Sequence, residues 1–592
     1  MRNRIVVDFL KQSWHRYVIG IVFLVLSSYI QILSPKVLGI IIDILELDPI
    51  DRQRVMLYIG YLILIAIGAF ITRFIWRYYI MGNARNMECY LREKLFQHFQ
   101  KMSVEFYNHR KTGDLIAYAT NDVSAVRRTF GPGVALIVNG VGLSFLSVFK
   151  MARSVDVRLT LLSLLPIPFI IFVIVKLGFL IRQRFRRVQE GFASISDRVQ
   201  ENISGIRVIK TYVQEEKEVE RFERLNRHMK DVSIDMVRVS SILSPLIQVL
   251  FGISFGMNLI YGSNLVRRGA ISLGDFVAFN GYLTMIMTPV ISIGRIINVF
   301  QRGMASYKRL DEIFRIEPEI VDGVSDIPIK EIKGAIEIKD LTFYYPQTTE
   351  PVLKDINIQL EKGQILGIIG KTGSSKTTLV NLLLKLYNVK PGHIFIDGKD
   401  INEFPLEVLR ENIGYVPQDN FLFSATIQDN IRFFNDEFTD DEVENAAKMS
   451  HIYHNIVEFP DKFETMLGER GVNLSGGQKQ RISIARALIK HPAIFILDDA
   501  LSAVDMETEE KILKNLRKLM KGSTGIIIAH RISAIKHADQ IIVLDHGRIV
   551  ERGNHEQLLR NKGLYHQLYQ EQYREQKGKK IDYEASQLDS IA

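Results

Sequence analysis

The chain has 592 residues, 47% of them hydrophobic and 24% charged, with a net charge of +9 and a mean hydropathy of +0.07. That length exceeds what one hydrophobic core serves, so at least two domains are expected, and the apolar fraction excludes a disordered chain. The single cysteine, Cys89, excludes an internal disulfide framework and any multi-cysteine metal site.

Read from the N-terminus, six runs contain no Asp, Glu, Lys or Arg: 17–35, 55–72, 129–149, 159–175, 239–266 and 276–294. Each is about 17 residues or longer, close to the ~20 that cross the hydrocarbon core. Any one run, the shortest (159–175) above all, could be a buried core helix. Six within three hundred residues leave no soluble fold to bury them in. Six transmembrane helices are therefore expected, near 17–45, 55–80, 129–152, 157–181, 239–266 and 273–300, in a domain spanning 1–315. The first run is too long for a secretory signal and lacks its small-residue cleavage site.

Lys and Arg placement sets the orientation. Arg2, Arg4, Lys11 and Arg16 precede the first run, which puts the N-terminus in the cytoplasm. The connections 73–128 and 176–238 carry ten and fourteen Lys/Arg and fall inside; Lys150, Arg153, Arg158, Arg267 and Arg268 fall outside, a smaller opposing count. Both termini are then cytoplasmic, as in a multi-pass protein of the cell membrane. The inside connections carry apolar residues at helical spacing, such as Val199, Ile203, Ile206 and Ile209. They are either solvated helices or continuations of the membrane helices ~30 Å or more into the cytosol, and long structureless loops are uncommon.

After residue 300 the texture changes. Pro318, Gly323 and Pro328 mark a linker over 316–333. From Gly334 short β-branched strands alternate with helical patterns, which predicts an α/β domain with a largely parallel sheet over 334–575, followed by a polar tail over 576–592. The strand 365–369 runs into Gly370-Lys371-Thr372-Gly373-Ser374-Ser375-Lys376-Thr377-Thr378 and then a helical stretch. This is a phosphate-binding loop in strand–loop–helix context. Its amides cradle a β-phosphate, Lys376 reaches the β/γ oxygens and Thr377 holds Mg²⁺. Ser375 stands where the pattern has a glycine; a Cβ in a left-handed conformation costs about 1–2 kcal/mol. Further on, 493–497 is an apolar strand ending in Asp498-Asp499, and Leu474-Ser475-Gly476-Gly477-Gln478 precedes an amphipathic helix.

At this point the resemblance is specific: 334–575 resembles the nucleotide-binding domain of an ATP-binding-cassette (ABC) transporter, whose signature is LSGGQ. With six helices before it, the chain resembles an exporter-type half-transporter. The resemblance implies ATP and Mg²⁺ as ligands, with Tyr345 stacking on adenine, Asp498 and Gln418 at Mg²⁺, Asp499 at the attacking water and His530 as γ-phosphate switch. It identifies Ser502-Ala503-Val504-Asp505 as a D-loop, Glu469 as part of a loop facing the cytosolic loops, and Gly113-Asp114-Leu115 and Gly205-Ile206-Arg207 as coupling segments. It also implies head-to-tail dimerisation, with Ser475, Gly476, Gly477 and Gln478 completing the partner's ATP site.

Competent members of the family carry glutamate where Asp499 stands. Together with Ser375 and the intact signature, this resembles the degenerate-site subunit of heterodimeric bacterial multidrug exporters. A heterodimer exporting hydrophobic or amphipathic compounds is expected, with this chain's own site slow. A homodimeric lipid or lipopolysaccharide flippase and a slow-cycling, non-pumping ABC protein are the alternatives. Asn139, Gln248, Asn258, Asn280 and Asn298, with Phe279, Tyr282, Met285 and Met287, either line a substrate cavity or serve helix packing. The charge finally divides: 334–592 carries 32 basic and 37 acidic residues, so the whole +9 surplus comes from the membrane half. That placement favours contact with membrane lipids and argues against nucleic acid.

Overall fold

Each charge-free run lies inside a helix much longer than the run itself. The structure, a computed structural model, describes residues 5–322, 331–468, 471, 473–519 and 522–574. Residues 323–330 of the expected linker, Glu469, and the tail 576–592 lie outside the described residues. The N-terminal helices are α1 (Ile5–Leu45), α2 (Arg52–Lys101), α3 (Val104–Asn108), α4 (Thr112–Ser154), α5 (Val157–Ser204), α6 (Ile206–Thr211), α7 (Glu215–Arg267) and α8 (Leu273–Phe314). Six of them, α1, α2, α4, α5, α7 and α8, are long and apolar enough to cross a membrane. At 1.5 Å per residue, α2 (50 residues) and α7 (53 residues) span about 75–80 Å, against a hydrocarbon core of about 30 Å. The apolar runs and their charged neighbours are thus single continuous helices.

Helix breakers are accommodated within this bundle. Pro35, Pro245 and Pro289 lie inside α1, α7 and α8, Pro132 lies in a π-helical turn of α4 (Thr129–Gly133), and α5 bends at Pro166. Of the five Asn and Gln residues singled out in or near the apolar runs, four join helices. Ser28 Oγ donates to Asn139 Oδ1 at 3.1 Å, Asn258 Nδ2 to Asn280 Oδ1 at 2.7 Å, and Arg182 Nη1 to Asn298 Oδ1 at 3.3 Å. Phe279 and Tyr282 are fully buried in an apolar cluster against which Met285 and Met287 pack. Packing and helix–helix hydrogen bonding therefore account for these side chains.

The chain divides into two compact units. One holds 5–101 and 110–317; the other holds 102–109 and the chain from Pro318. Within the second, Asn108 Nδ2 at the end of α3 donates to Tyr387 Oη at 2.9 Å. Gly113, Asp114 and Leu115, one of the expected coupling segments, lie in the first unit, at the start of α4.

The second unit contains two sheets. A four-stranded antiparallel sheet has the order β2 (Leu353–Leu360), β1 (Ile336–Phe343), β4 (Ile394–Ile396), β5 (Lys399–Asp400). A six-stranded sheet has the order β10 (Arg548–Gly553), β9 (Gln540–Asp545), β3 (Ile365–Ile369), β8 (Thr524–Ile528), β7 (Ile494–Asp498), β6 (Ile413–Val416), parallel throughout except for the β9–β10 hairpin. The parallel sheet follows the expectation. β7 and β8 are buried along their whole length, as continuous apolar strands covered on both faces should be. The antiparallel sheet was not anticipated: β1 and β4 are separated by some fifty residues, and strand alternation does not reveal which strands pair.

Candidate functional site: the phosphate loop and its carboxylates

The C-terminal ends of β3, β7 and β8 converge on the loop between β3 and α9 (Lys376–Leu383), as adjacent parallel strands require. A side chain at Gly370 would place its Cβ 2.1 Å from Leu544 O on β9, so the chain leaves β3 with room for nothing larger than hydrogen. Gly373 and Ser375 both lie in the left-handed region, at φ +84° and +73°. Ser375 thus adopts the conformation that glycine holds without cost. Ser375→Gly is expected to stabilise the nucleotide-free domain by about 1 kcal/mol. This would appear as a higher unfolding midpoint for the ATP-binding domain, and an unchanged midpoint would show that the loop carries no such strain.

Lys376 is buried, and its Nζ donates to Gly370 O and Lys371 O, both at 2.9 Å, and to Ser374 Oγ at 3.4 Å. Burial pushes its ammonium below the usual lysine range, while the Asp498 and Asp499 carboxylates act the other way. Asp498, at the end of β7, is only 1% exposed. Burial raises its carboxyl above the usual range, opposed by the Thr377 hydroxyl and the charges of Lys376 and His530. Among the described residues its Oδ2 has no hydrogen-bond partner. A buried, unpartnered carboxylate oxygen beside a threonine hydroxyl is a donor set that fits a hard divalent cation.

Residues 372–378, Gln418, Asp498, Asp499, Ile528 and His530 line one cavity of about 200 Å³. Four separate sequence motifs therefore meet in one space. Gly370 and Lys371 shape the loop from outside this cavity, Gly370 through its missing side chain and Lys371 through its carbonyl. Asp499 follows Asp498 in a left-handed conformation (φ 48°), with its N–H donating to Ile528 O at 2.9 Å. Tyr345 stands beside the loop: its hydroxyl lies 3.0 Å from Thr378 Oγ1, and its ring meets Tyr387 edge-on at 5.0 Å.

The signature lies elsewhere. Ser475 caps α10 (Gly476–Leu488), and the Gln478 side chain returns to the Ser475 N–H at 2.9 Å in a reciprocal capping box. Ser475 and Gly476 are exposed, and none of residues 475–478 is among the described residues lining the cavity. A Cβ at Gly477 would stand 2.9 Å from Ala503 O, so the D-loop rests directly against the signature. Gln480 of α10 fixes that contact, accepting from Ala503 N–H at 3.0 Å.

Sequence reading missed two supports. Arg531 bonds Val504 O and Ser502 O and pairs with Glu509, which is 2% exposed, tying the D-loop to the segment after β8. Gln572 clamps the histidine loop: its Nε2 donates to His530 O at 2.7 Å, and its Oε1 accepts from Ile532 N–H at 2.9 Å. Nothing local to a lone glutamine in a polar helix announces this. Gln572→Ala should leave the Ile532 amide without its partner and speed hydrogen exchange across 529–535 by about tenfold. Unchanged protection in that peptide would show that the clamp does not hold the loop.

With six membrane-spanning helices and this composite phosphate site in one chain, the class is that of an ATP-driven membrane transporter. The chain belongs to the ABC transporter family: the family model "ABC transporter transmembrane region" matches residues 17–290 and the family model "ABC transporter" matches 353–502. It is 41% identical over 564 residues, 95% of this chain and 96% of the other, to the "Probable multidrug resistance ABC transporter ATP-binding/permease protein YheI" of Bacillus subtilis. It is 36% identical over 487 residues, 82% of this chain and 80% of the other, to the "ATP-dependent lipid A-core flippase" of Syntrophus aciditrophicus. A solved structure of a bacterial Atm1-family ABC exporter with ATP bound superimposes at a TM-score of 0.77 with 25% identity, covering 94% of this chain and 99% of that one. The chain is a multi-pass membrane protein with the half-transporter architecture of ABC exporters, and an ATPase coupled to transport.

Proposed function

We propose that the chain is one subunit of a heterodimeric ABC exporter that moves hydrophobic or amphipathic compounds out across the cell membrane, with its own phosphate loop forming the slow site. Residues 1–315 form the translocating domain, with both chain termini in the cytoplasm, and 334–575 the ATP-binding domain. Thr372 to Thr378 hold the phosphates, Tyr345 the adenine, Asp499 the attacking water and His530 the γ-phosphate. Thr377, Gln418 and Asp498 would hold Mg²⁺, which when bound neutralises phosphate charge.

The observation that carries a two-chain site is the separation of the signature from the cavity it is expected to complete, and Ser375 and Asp499 in that cavity's lining favour its being the slow one. Ser475 and Gly476 are exposed and turned to no ATP site of their own chain, which supports a site completed by a second chain. The tip between α5 and α7 adds support. Ile206, Val208, Tyr212 and Val213 are exposed there, an apolar end that calls for a covering surface. The multidrug-resistance relative supports the cargo class. The test is purification from native membranes followed by ATPase assay. A second chain of similar size should co-purify, and the chain alone should turn over slowly. Several turnovers per second by the chain alone would overturn the heterodimer.

A homodimeric lipid flippase is the second reading, favoured by the similarity to the lipid A-core flippase. Lipid-stimulated ATPase in the isolated chain, without drug transport in vesicles, would select it.

A further inference from the structure

The membrane unit contains a second cavity, of about 700 Å³, between the expected cytoplasmic ends of α4 and α8. Its volume falls within the range of small-molecule sites. On α8 its lining recurs every three or four residues through Arg295, Asn298, Arg302, Ser306 and Arg309, so one stripe of the helix faces it. From α4, Asp122 and Arg128 face the same space. Four guanidinium groups thus share a cavity with one carboxylate, and Arg182 of α5 reaches its rim through Asn298.

The single acid is already engaged. Asp122, 5% exposed, pairs with Arg309 and accepts from Ser306 Oγ at 2.7 Å. Arg128, Arg295 and Arg302 have no acidic partner and no side-chain hydrogen bond among the described residues. The walls are fixed: a Cβ at Gly303 would meet Thr129 Oγ1 at 1.7 Å, and that hydroxyl donates to Val299 O at 3.2 Å. The helix backbones that carry the unpaired arginines are therefore closely packed here, while the arginine side chains themselves are exposed.

Their depth is informative too. Arg128 immediately precedes the charge-free run 129–149 and Arg295 immediately follows 276–294, which sets both at headgroup level. Arg302 lies two turns further along α8, about 10 Å away. Flanking arginines that serve only topology need not cluster, whereas Arg128, Arg295 and Arg302, although exposed, line one groove. Guanidinium forks match phosphate and carboxylate oxygens in bidentate geometry.

We infer that this cavity is a binding site for an anionic group, a phosphate or carboxylate borne by an amphipathic molecule. It refines the cargo class of the proposed exporter, and it rests on that reading only in calling the bound molecule a cargo.

The test is native mass spectrometry of the full chain in detergent, without ATP. The probes are dioctanoyl phosphatidate, dioctanoylglycerol and glycerol 3-phosphate. Phosphatidate should bind, and the double variant Arg295→Gln/Arg302→Gln should weaken it at least about tenfold, as loss of charge-assisted hydrogen bonds requires. Arg224→Gln, an exposed change on α7, should leave binding unaltered and shows that charge removal elsewhere is silent. Glycerol 3-phosphate binding that is lost in the double variant identifies soluble organic anions as ligands; binding of phosphatidate alone identifies a lipid or lipid-like anion. Equal binding of dioctanoylglycerol and phosphatidate, or an unaffected double variant, overturns the site. Because no ATP turns over, failure here leaves the export reading standing, and an inactive exporter can still bind.

Discussion

Asp499→Glu is expected to raise ATP turnover at this chain's phosphate loop by about 100-fold if the proposed heterodimer holds and its second chain is present. Asp499 lines the phosphate cavity beside Asp498, and its backbone is pinned by the N–H bond to Ile528 O. The backbone cannot advance to compensate for a short side chain. A group acting on the attacking water must come within about 2.6–3.2 Å of it, and a misplacement of about 1 Å costs on the order of 100-fold. Glutamate restores one methylene of reach from the same anchored position. Phosphate release from the reconstituted pair, with the partner's own site disabled, reads the effect. Turnover unchanged from the parent would show that aspartate already reaches the water.

The anchor explains why this comparison is clean. Asp499 sits in a left-handed conformation, which Asp tolerates better than most residues. The following D-loop is held by Gln480 and Arg531 on one side and by the signature on the other. A change to glutamate at 499 therefore lengthens the reach at the cost of some backbone strain, which the surrounding anchors must hold.

The membrane crossings and the phosphate loop were legible because each is a local pattern: a run without charge, or nine residues between a strand and a helix. The parallel sheet was legible for the same reason. What sequence left open depended on pairing at a distance. The charged stretches after the apolar runs read equally well as separate solvated helices, and only the continuous α2 and α7 decide it. Asn258 and Asn280 could line a cavity or bond each other; their 2.7 Å contact decides that too. The basic cavity was hidden more deeply. Arg128 entered the sequence reading only as one of the topology charges of 73–128 and Arg295 not at all, because linear order cannot show that α4 and α8 bring them to one groove. Gln572 gave no sign at all, since its partners lie some forty residues upstream.

Lys376→Ala is expected to weaken ATP binding at least about 100-fold, whereas Lys371→Ala, five residues earlier in the same loop, should change it by less than about threefold. The two lysines differ in where their charge lies. Lys376 is buried, with Nζ drawn inward onto Gly370 O and Lys371 O beside the Asp498 and Asp499 carboxylates. Lys371 is exposed and contributes its carbonyl. Charge-assisted hydrogen bonds are worth about 1.5–3 kcal/mol each, so two lost to phosphate oxygens account for the 100-fold. The deletion acts a second time through Asp498. Without the Lys376 charge only the Thr377 hydroxyl and His530 still offset its burial, so its carboxyl rises further and holds a cation less well. Lys376→Arg should not restore binding, because a planar guanidinium does not fit a slot that the loop closes around an ammonium. Calorimetric titration of ATP into the full chain separates the variants. Equal losses at 371 and 376 would mean that the loop's overall charge attracts ATP, and that the inward-held ammonium has no special part in binding it.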